Sequence, residues 1–396
     1  MDLSKITEQF TESIIRDMTR VALEHPGSIN LAQGFPDFPA PESIKQAAIE
    51  AINKDMNQYA VTWGTLSLRE AIAAKTLRYN HIKADPHKNI TVTCGATEGM
   101  MASLKAIINP GDEIIIFEPF YENYGPDCLL SGATPRYIRL SPPEWSFDFN
   151  ELESIFNSRT KAIVINTPNN PTGKVFSEKE LRFIAELCIK NDAIAVTDEI
   201  YEHILFDGHR HLSIASFPEM AERSITINSI SKTYSLTGWR VGWVIASDRI
   251  TREIRKVHDF LTVGAAAPLQ AGAAFALSLG EEYYQWLTEF YQNARDTLCN
   301  SLQETDLHPY KPAGAYYIMC ECADLIRHHH LQNSLELAFS LVKNIGIATV
   351  PGSSFYSDPG YGQFIIRFCF CKSPETLQKA WSYLSKISKT TRDRLI

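Results

Sequence analysis

The 396-residue sequence has little of what marks several large protein classes. Its eight cysteines are too few for a disulfide scaffold in a chain of this length. Lys and Arg number 38 against 46 Asp and Glu, so the net charge is −8 and no basic surface for nucleic acid is expected. No apolar run reaches the roughly 20 residues that a membrane helix needs. We therefore expect a globular protein that binds neither nucleic acid nor a membrane.

The sequence also lacks the pattern of a secreted protein. Its first eight residues contain no basic segment followed by an apolar one, so we expect no secretory signal and a cytoplasmic location. Two cysteine pairs, Cys320/Cys322 and Cys369/Cys371, are candidates for zinc ligands. Their two-residue spacing within apolar runs instead matches one face of a strand, and structural zinc sites prefer at least two intervening residues. We predict buried core thiols here and no metal site.

Strand patterns alternate with helix patterns over most of the chain. Apolar or β-branched segments predict buried strands at 89–94, 113–117, 161–166, 193–197 and 224–228. A capping box, Ser177 to Glu180, starts one of the intervening helices. This alternation predicts an α/β fold with a mostly parallel sheet covered by helices on both faces.

From about residue 290 the order changes to helix, strand, helix, strand, strand and helix, which indicates a smaller α+β domain. We expect the N-terminal arm, with a helical apolar stripe from Ile6 to Ala22, to pack with it. The predicted division is 1–48 for the arm and part of the small domain, 49–288 for the large domain and 289–396 for the small one.

Polar side chains follow four of the predicted strands directly. They are Gly95 to Thr97, Asn166 to Asn170, Asp198 with Tyr201, and Ser229 to Lys232. In open parallel sheets ligands bind outside the carboxyl ends of the strands. We therefore expect these clusters to meet at one edge of the sheet. Small residues between a strand and a helix, as at Gly95, also leave backbone N–H groups free for an anion.

The stretch from Ser229 to Gly242 carries the most specific signal. Lys232 stands just beyond a strand end, and Arg240 follows eight positions later between two glycines. A lone lysine at such a place is most often solvated. Serines, an arginine and close-approaching glycines, however, suit a phosphate, and the lysine amine would lie beside it.

The order of these motifs, Asn-x-x-x-Asn-Pro-x-Gly, Asp-x-x-Tyr, Ser-x-x-Lys and Gly-x-Arg-x-Gly, resembles that of the class I/II pyridoxal-phosphate-dependent aminotransferases. The resemblance covers Gly34 to Arg367 and is strongest to the kynurenine, glutamine and methionine aminotransferase subgroup. It implies the PLP-transferase fold of type I, in which 49–288 would be a cofactor-binding domain with a seven-stranded type of sheet. It also implies pyridoxal 5′-phosphate as cofactor and amino acids and 2-oxo acids as substrates.

Position by position, the resemblance implies the catalytic residues. Lys232 is similar to the lysine that forms a Schiff base with the cofactor and then moves a proton as a base. Asp198 matches the carboxylate that keeps the pyridine nitrogen protonated, so that the ring accepts electrons. Tyr201 and Asn170 match the pair that bonds the ring 3-oxygen. Without the resemblance, Asp198 alone would fit an ordinary helix cap.

Further cofactor and substrate contacts are implied in the same way. Ser229, Arg240 and the turn at Gly95, Ala96 and Thr97 look like the phosphate site, and Tyr121 looks like the aromatic residue on the ring face. Tyr59 matches a tyrosine that reaches the phosphate of a neighbouring subunit, which implies a homodimer with its sites at the interface. Both tyrosines would otherwise be ordinary core or rim aromatics.

Arg367 lies in an otherwise apolar segment, where a guanidinium needs a carboxylate partner. An internal salt bridge would provide one. The resemblance instead implies a clamp on the α-carboxylate of the substrate, with Asn170 and the backbone of Gly34 beside it.

No Lys or Arg lies between Lys256 and Arg295, where aspartate-specific relatives carry a second arginine. We therefore predict an aminotransferase for neutral amino acids such as methionine, glutamine, kynurenine or aromatic residues. A β-lyase or cyclase with the same cofactor and an aspartate-type aminotransferase remain alternatives. A transcription regulator built on this fold would need an added DNA-binding segment, which we do not find in this sequence.

Overall fold

The computed structural model of the protein describes residues 3–387. Its α-helices are α1 (Ile14–Leu23), α2 (Glu42–Asn53), α3 (Leu66–Lys75), α4 (Ala96–Ile107), α5 (Tyr124–Ser131), α6 (Phe149–Ile155), α7 (Glu178–Lys190), α8 (Asp248–Leu261), α9 (Ala267–Ala276), α10 (Glu281–Gln303), α11 (Ala323–His328), α12 (Ser334–Ser340) and α13 (Pro374–Leu384). Its strands are β1 (Ile29–Asn30), β2 (Ile90–Thr93), β3 (Glu113–Glu118), β4 (Thr134–Arg139), β5 (Thr160–Asn166), β6 (Ile194–Asp198), β7 (Ser224–Ser229), β8 (Gly242–Ala246), β9 (His308–Tyr310), β10 (Tyr317–Glu321), β11 (Ile347–Ala348), β12 (Val350–Pro351) and β13 (Ile365–Cys369).

The large sheet follows the strand order β2-β8-β7-β6-β5-β3-β4. All pairs from β7 through β6, β5 and β3 to β4 are parallel, and β8 runs antiparallel to both of its neighbours. The strands of the parallel part therefore end at one edge. This confirms the predicted α/β class with a large, mostly parallel, seven-stranded sheet.

Helices cover both faces of this sheet, as β5 illustrates. Ile163 and Ile165 belong to one apolar core, and Ala162 and Val164 belong to another. Successive side chains of a strand point to opposite faces, so a strand buried on both sides reads as a continuous apolar run. The predicted capping box is present too, since Ser177 and Glu180 satisfy each other's backbone N–H at the start of α7.

The sequence pattern missed two strands of the large sheet. β4 lies at the edge of the sheet, and most of its side chains are partly or fully exposed. β8 is fully buried and antiparallel, and it follows directly on the segment around Arg240 without an intervening helix. Since the prediction relied on strand–helix alternation, a strand outside that rhythm gave no signal.

Two smaller sheets join the beginning of the chain to its end. One has the order β12-β13-β10-β9 and is antiparallel. In the other, β1 pairs in parallel with β11, so residues 29–30 lie beside 347–348. The predicted packing of the arm with the later part of the chain is therefore present. Cys320, Cys322, Cys369 and Cys371 are buried, as predicted.

The arm itself differs from the single helical stripe that the sequence suggested. Residues Lys5–Gln9 form a short 3-10 turn, and α1 begins only at Ile14. The side chain of Ser13 accepts the backbone N–H of Arg16 and so starts the helix there. Ile15, Met18 and Ala22 then bury one face of α1. The later helix α10, by contrast, begins before the predicted residue 290, at Glu281.

Candidate active site

A cavity of about 440 Å³ opens at the carboxyl ends of β5, β6 and β7. The last residue of each strand lines it, namely Asn166, Asp198 and Ser229. This is where an open parallel sheet offers a binding site, because its loops diverge there. The predicted site residues that line this cavity are Gly34, Ala96, Thr97, Tyr121, Asn170, Asp198, Tyr201, Ser229, Lys232, Arg240 and Arg367.

Two predicted residues do not line the cavity. Gly95 lies immediately before α4, and its backbone φ of +83° is one that a glycine adopts readily. Tyr59 is 89% exposed on the surface. Within residues 3–387 of one chain, Tyr59 therefore contributes nothing to the cavity wall.

Lys232 brings an amine into the cavity. Its Nζ donates to the carbonyl of Gly34 at 3.1 Å and lies 5.6 Å from the ring centre of Tyr316. Burial lowers the pKa of Lys232 to about 8, although Asp198 nearby opposes this shift. A substantial fraction of this amine is therefore uncharged near pH 8, as a nucleophile or general base requires.

Asp198 ends β6 and points a buried carboxyl group into the cavity. Its Oδ2 accepts the hydroxyl of Tyr124 at 2.8 Å, and its Oδ1 accepts the N–H of Ile200 at 3.3 Å. Burial raises the pKa of Asp198 to about 6, and the hydrogen bond from Tyr124 limits that rise. The group is therefore anionic at neutral pH and can pair with a cation or a protonated ring nitrogen.

The N-terminus of α4 offers an anion site on the same wall. The first turn of an α-helix has N–H groups without intrahelical acceptors, and here these include Ala96 and Thr97. A Cβ on Gly95 would lie only 2.4 Å from Nη2 of Arg240, so glycine permits the guanidinium to approach this turn. Arg240 itself adopts φ +54°, and Nη1 donates to Thr237 O at 3.0 Å.

Arg367 enters the cavity from β13 and is fully buried. Its Nη1 donates to Oδ1 of Asn170 at 2.9 Å, and its Nη2 donates to Ala32 O at 2.5 Å. Its Nε has no partner, and no carboxylate of the described chain forms a salt bridge with it. The internal salt bridge considered as an alternative is therefore absent from residues 3–387. An unneutralised buried guanidinium suits an anionic ligand.

Two tyrosines, Tyr317 and the predicted Tyr201, connect the proposed cofactor residues to Arg367. Tyr201 and Tyr317 lie with their Oη atoms 2.9 Å apart, and the guanidinium of Arg367 lies 4.3 Å from the ring centre of Tyr317. Sequence reasoning did not single out Tyr317. It also missed Tyr124, whose hydroxyl donates to Asp198, although the three-residue spacing from Tyr121 could have suggested a second tyrosine in the same turn.

The arm contributes a further cation that was not predicted from the sequence. Arg16 lines the cavity beside Tyr121, and no carboxylate in the described part of the chain lies within ion-pairing distance of it. Glu122 lines the cavity too and accepts the hydroxyl of Ser13. The sequence offered one signal for Arg16. It is a charged residue directly after Ile15, which belongs to the apolar stripe of the arm.

A group of acidic and histidine side chains lies outside this cavity. Within the described chain, Glu199, Glu202 and His211 come close enough to share a metal ion. The ammonium of Lys75 already contacts Glu202, however, and Ser213 donates to Glu199 at 2.6 Å. These carboxylates are therefore satisfied as a buried ion-pair network.

In residues 3–387 we find no helix that is long and apolar enough to cross a membrane.

Known proteins match this chain along nearly its whole length. Kynurenine–oxoglutarate transaminase 1 of Homo sapiens is 37% identical, covering 91% of this chain and 92% of that protein. Methionine aminotransferase of Escherichia coli (strain K12) is 35% identical, covering 96% and 97%. The structure of N-succinyldiaminopimelate aminotransferase from Mycobacterium tuberculosis has a TM-score of 0.93 at 34% identity and covers 98% of this chain and 100% of its own.

The family described as aminotransferase class I and II matches residues 26–384. That range includes the strand ends, the lysine and the buried Arg367 that surround the cavity. Both the family match and the relatives cover far more than half of the chain. The chain therefore belongs to the class I and II aminotransferases and is an enzyme.

Proposed function

We propose that this enzyme uses pyridoxal 5′-phosphate to move an amino group from a neutral L-amino acid to a 2-oxo acid. The observation that carries the proposal is the arrangement of Lys232, Asp198 and the N-terminus of α4 around one cavity. An amine, a buried carboxylate and an anion site match the aldehyde, the ring nitrogen and the phosphate of this cofactor.

The residues at the N-terminus of α4 and Arg240 fit the phosphate group of this cofactor. Because Gly95 has no side chain, the guanidinium of Arg240 approaches this turn closely, and an anion there can meet backbone N–H groups and a guanidinium together. Gly242 backs this turn, because a Cβ there would lie 2.7 Å from the nitrogen of Ala96. Ala96, Thr97, Ser229 and Arg240 would hold the phosphate, with Gly95 providing the turn.

The ring would be held by the remaining cofactor residues. When bound, pyridoxal 5′-phosphate supplies an aldehyde that condenses with amines and a ring that withdraws electrons from the substrate. Asp198 would hold the ring nitrogen protonated, because a buried anion stabilises a neighbouring cation. Tyr201 and Asn170 would donate to the ring 3-oxygen, and Tyr121 would lie on the ring face.

Lys232 would carry out the proton transfer. With a pKa of about 8, its Nζ would take the proton from Cα of the substrate and would deliver it to C4′ of the cofactor. A general base works best when its pKa lies near the working pH. The contact of Nζ with Gly34 O keeps the amine at the boundary between the arm and the sheet.

Arg367 would bind the α-carboxylate that all amino acids share. Its hydrogen bonds to Asn170 and Ala32 already fix the plane of the guanidinium, and its Nε has no partner among the described residues. A planar fork binds a carboxylate through two parallel hydrogen bonds. The backbone of Gly34 would lie on the opposite side of the substrate.

The side-chain pocket supports neutral donors. No Lys or Arg lies between Lys256 and Arg295, and an unpaired carboxylate is costly to bury. The human and Escherichia coli relatives are named for kynurenine and methionine as amino donors. Neither of these amino acids has a carboxylate in its side chain. Arg16 at the cavity wall supports a dicarboxylic 2-oxo acid as acceptor, since it is a cation without an ion-pair partner among the described residues.

We further propose a homodimer whose sites lie at the subunit interface. Tyr59 is 89% and Phe260 94% exposed, with the half-exposed Val61 and Val263 beside them in sequence. The two segments lie close together, because a Cβ on Gly264 would lie 3.3 Å from Thr62 O. A neighbouring subunit would cover this apolar surface and receive Tyr59. Light scattering at assay concentration should give twice the chain mass, and an active monomer would contradict the shared site.

Two further proposals concern the domain organisation and the cellular location of the protein. We propose the division 1–48, 49–288 and 289–396 for the arm, the cofactor-binding domain and the small domain; residues 1, 2 and 388–396 of it lie outside the described residues. A cytoplasmic location is supported by the eight free cysteines, since secreted proteins usually pair them.

Borohydride reduction tests the central proposal. The purified protein should absorb visible light, and reduction followed by peptide mapping should find the cofactor on Lys232. The buried, partly deprotonated amine is the reason for this site selectivity. Lys256, an exposed lysine, serves as the internal comparison and should stay unmodified. Finding the cofactor on another lysine, or on none, would reject the proposal.

A further inference from the structure

The first turn of α4 is fastened to two neighbouring segments by the carboxylate of Glu98. Its Oε2 accepts the backbone N–H of Cys94 at 2.5 Å. Its Oε1 accepts the hydroxyl of Thr262 at 2.8 Å and lies 2.6 Å from Nδ1 of His258. The turn that offers N–H groups to an anion is therefore tied to the C-terminal end of α8.

His258 extends this link to the loop that carries Tyr59. Its second ring nitrogen, Nε2, lies 2.8 Å from the carbonyl oxygen of Thr62. A carboxylate and a carbonyl can only accept hydrogen bonds, so both ring nitrogens must donate. A ring that donates from both nitrogens is an imidazolium cation, and His258 therefore forms a buried ion pair with Glu98.

The electrostatic surroundings agree with this protonation state. Burial disfavours the charged ring, but the hydrogen bond and the charge of Glu98 outweigh it and raise the pKa of His258. The titratable groups that face the ring are Glu98 from α4 and Asp259 from its own helix, with the thiol of Cys94 beyond Glu98. Both carboxylates favour the proton.

We propose that the His258 imidazolium is a positioning residue, which holds the loop of residues 57–64 and the turn at 262–264 against the N-terminus of α4. The ion pair is one connection between the anion site inside the cavity and the exposed surface around Tyr59. When the ring loses its proton, at least one of its two hydrogen bonds is lost, and both the turn and the loop loosen. The identity of the anion, the cofactor phosphate, rests on the proposed function.

The consequence is a pH-dependent affinity for the cofactor. The imidazolium is present below the raised pKa of His258 and is lost as the pH increases through it. The turn at Cys94 and Gly95 is therefore best ordered on the acidic side. Coupling between two sites through such a link typically changes affinity by about 5- to 150-fold, and we expect about tenfold here.

Hydrogen exchange on cofactor-free protein tests the link without using the cofactor. In His258→Gln, peptides that cover residues 57–64 and 259–264 should exchange faster than in the wild type, while a peptide from β4 should not change. His209→Gln, at an exposed histidine outside the cluster, is the matched control. Glu98→Gln keeps the ring but removes its anionic partner, and NMR should show a lower pKa for His258 than in the wild type. Unchanged exchange in both variants would overturn the proposal, as would a wild-type ring that titrates below the ordinary range of histidine.

Cofactor titrations then test the consequence. The dissociation constant of pyridoxal 5′-phosphate for His258→Gln should exceed that of the wild type about tenfold at pH 6.5, and the ratio should shrink as the pH is raised. A ratio of one at every pH contradicts the proposal. If the wild type binds no cofactor at all, the proposed function fails instead, and the exchange experiment still decides the role of His258.

Discussion

The two walls of the cavity are built in different ways. The proposed cofactor wall, with Ala96, Asp198, Ser229 and Lys232, stands on the C-terminal ends of β2, β6 and β7 of one sheet and the turns that follow them. The proposed substrate wall combines the arm, through Arg16 and Gly34, with Arg367 on a strand of another sheet. Asn170 connects them by its hydrogen bond to Arg367, which spans 197 positions in sequence.

This difference explains how reaction type and substrate choice can be separated. The cofactor wall is fixed by the register of the sheet, because hydrogen bonds to neighbouring strands hold each strand along its length up to its end. The substrate wall depends on how the arm packs, for example on the donation of Arg367 to Ala32 O. Changes on the first wall should therefore abolish chemistry, and changes on the second should alter which substrates react.

The largest effect should follow from replacing Lys232 by alanine. The variant loses the proton-transferring amine, and proton transfer by a positioned side chain contributes about 10²- to 10⁴-fold to a rate. We expect transamination to fall by about four orders of magnitude, because the covalent attachment is lost as well. Steady-state assays with methionine measure this, and Lys256→Ala is the control. Retained turnover in Lys232→Ala would contradict the assignment of the chemistry to the cofactor wall.

Asp198→Asn should have the next largest effect. The carboxamide cannot hold a neighbouring ring nitrogen protonated, although it keeps the size of the side chain and can still accept from Tyr124. Loss of one preorganised electrostatic partner typically costs about 10²- to 10³-fold in kcat. The loss should be equal for all donors, since Asp198 belongs to the cofactor wall. A loss confined to one donor would contradict that assignment.

Arg367→Lys tests the substrate wall. Lysine keeps the charge but not the planar fork, and charge-assisted hydrogen bonds are worth about 1.5–3 kcal/mol, so kcat/KM for amino acids should fall about 10- to 150-fold. The wavelength and intensity of the visible absorbance should stay as in the wild type. A primary amine without a carboxylate is the control and should react at an unchanged rate. Loss of cofactor from this variant would show that the two walls are not separable.

The smallest effect should come from Arg16→Gln. An exposed cation contributes little, so we expect kcat/KM for a dicarboxylic 2-oxo acid to fall about two- to fivefold, with no change for a monocarboxylic one. Arg20→Gln on the same helix is the matched control, because Arg20 is paired with Glu12 and Asp17.

We also expect methionine to outcompete aspartate as donor in the wild type. Aspartate ranking first would mean that Arg16 serves the donor as well.

The fold and the cofactor wall could largely be predicted because their signals are local. The strands at 113–118, 160–166, 194–198 and 224–229 are short apolar runs, and each is followed directly by its polar loop. Parallel strands all end at the same edge of a sheet. Predicting the strands therefore also predicted that Asp198 and Lys232 lie close together. β8 was missed because an antiparallel strand without a preceding helix breaks that rhythm.

The class of fold, the family and the residues on the strand ends could therefore be inferred from the sequence alone, because each shows itself in patterns within a few positions of the chain. The groups that face these residues across the cavity could be identified only in the folded protein. Arg16, Tyr124 and Tyr317 stand in ordinary helix and strand patterns, and His258 is one polar residue on a helix of mixed charge. The hydrogen-bond partners of Tyr124, Tyr317 and His258 lie between 74 and 196 positions away. Contacts at that separation are set by how sheets, arm and helices pack, and no local pattern carries that information.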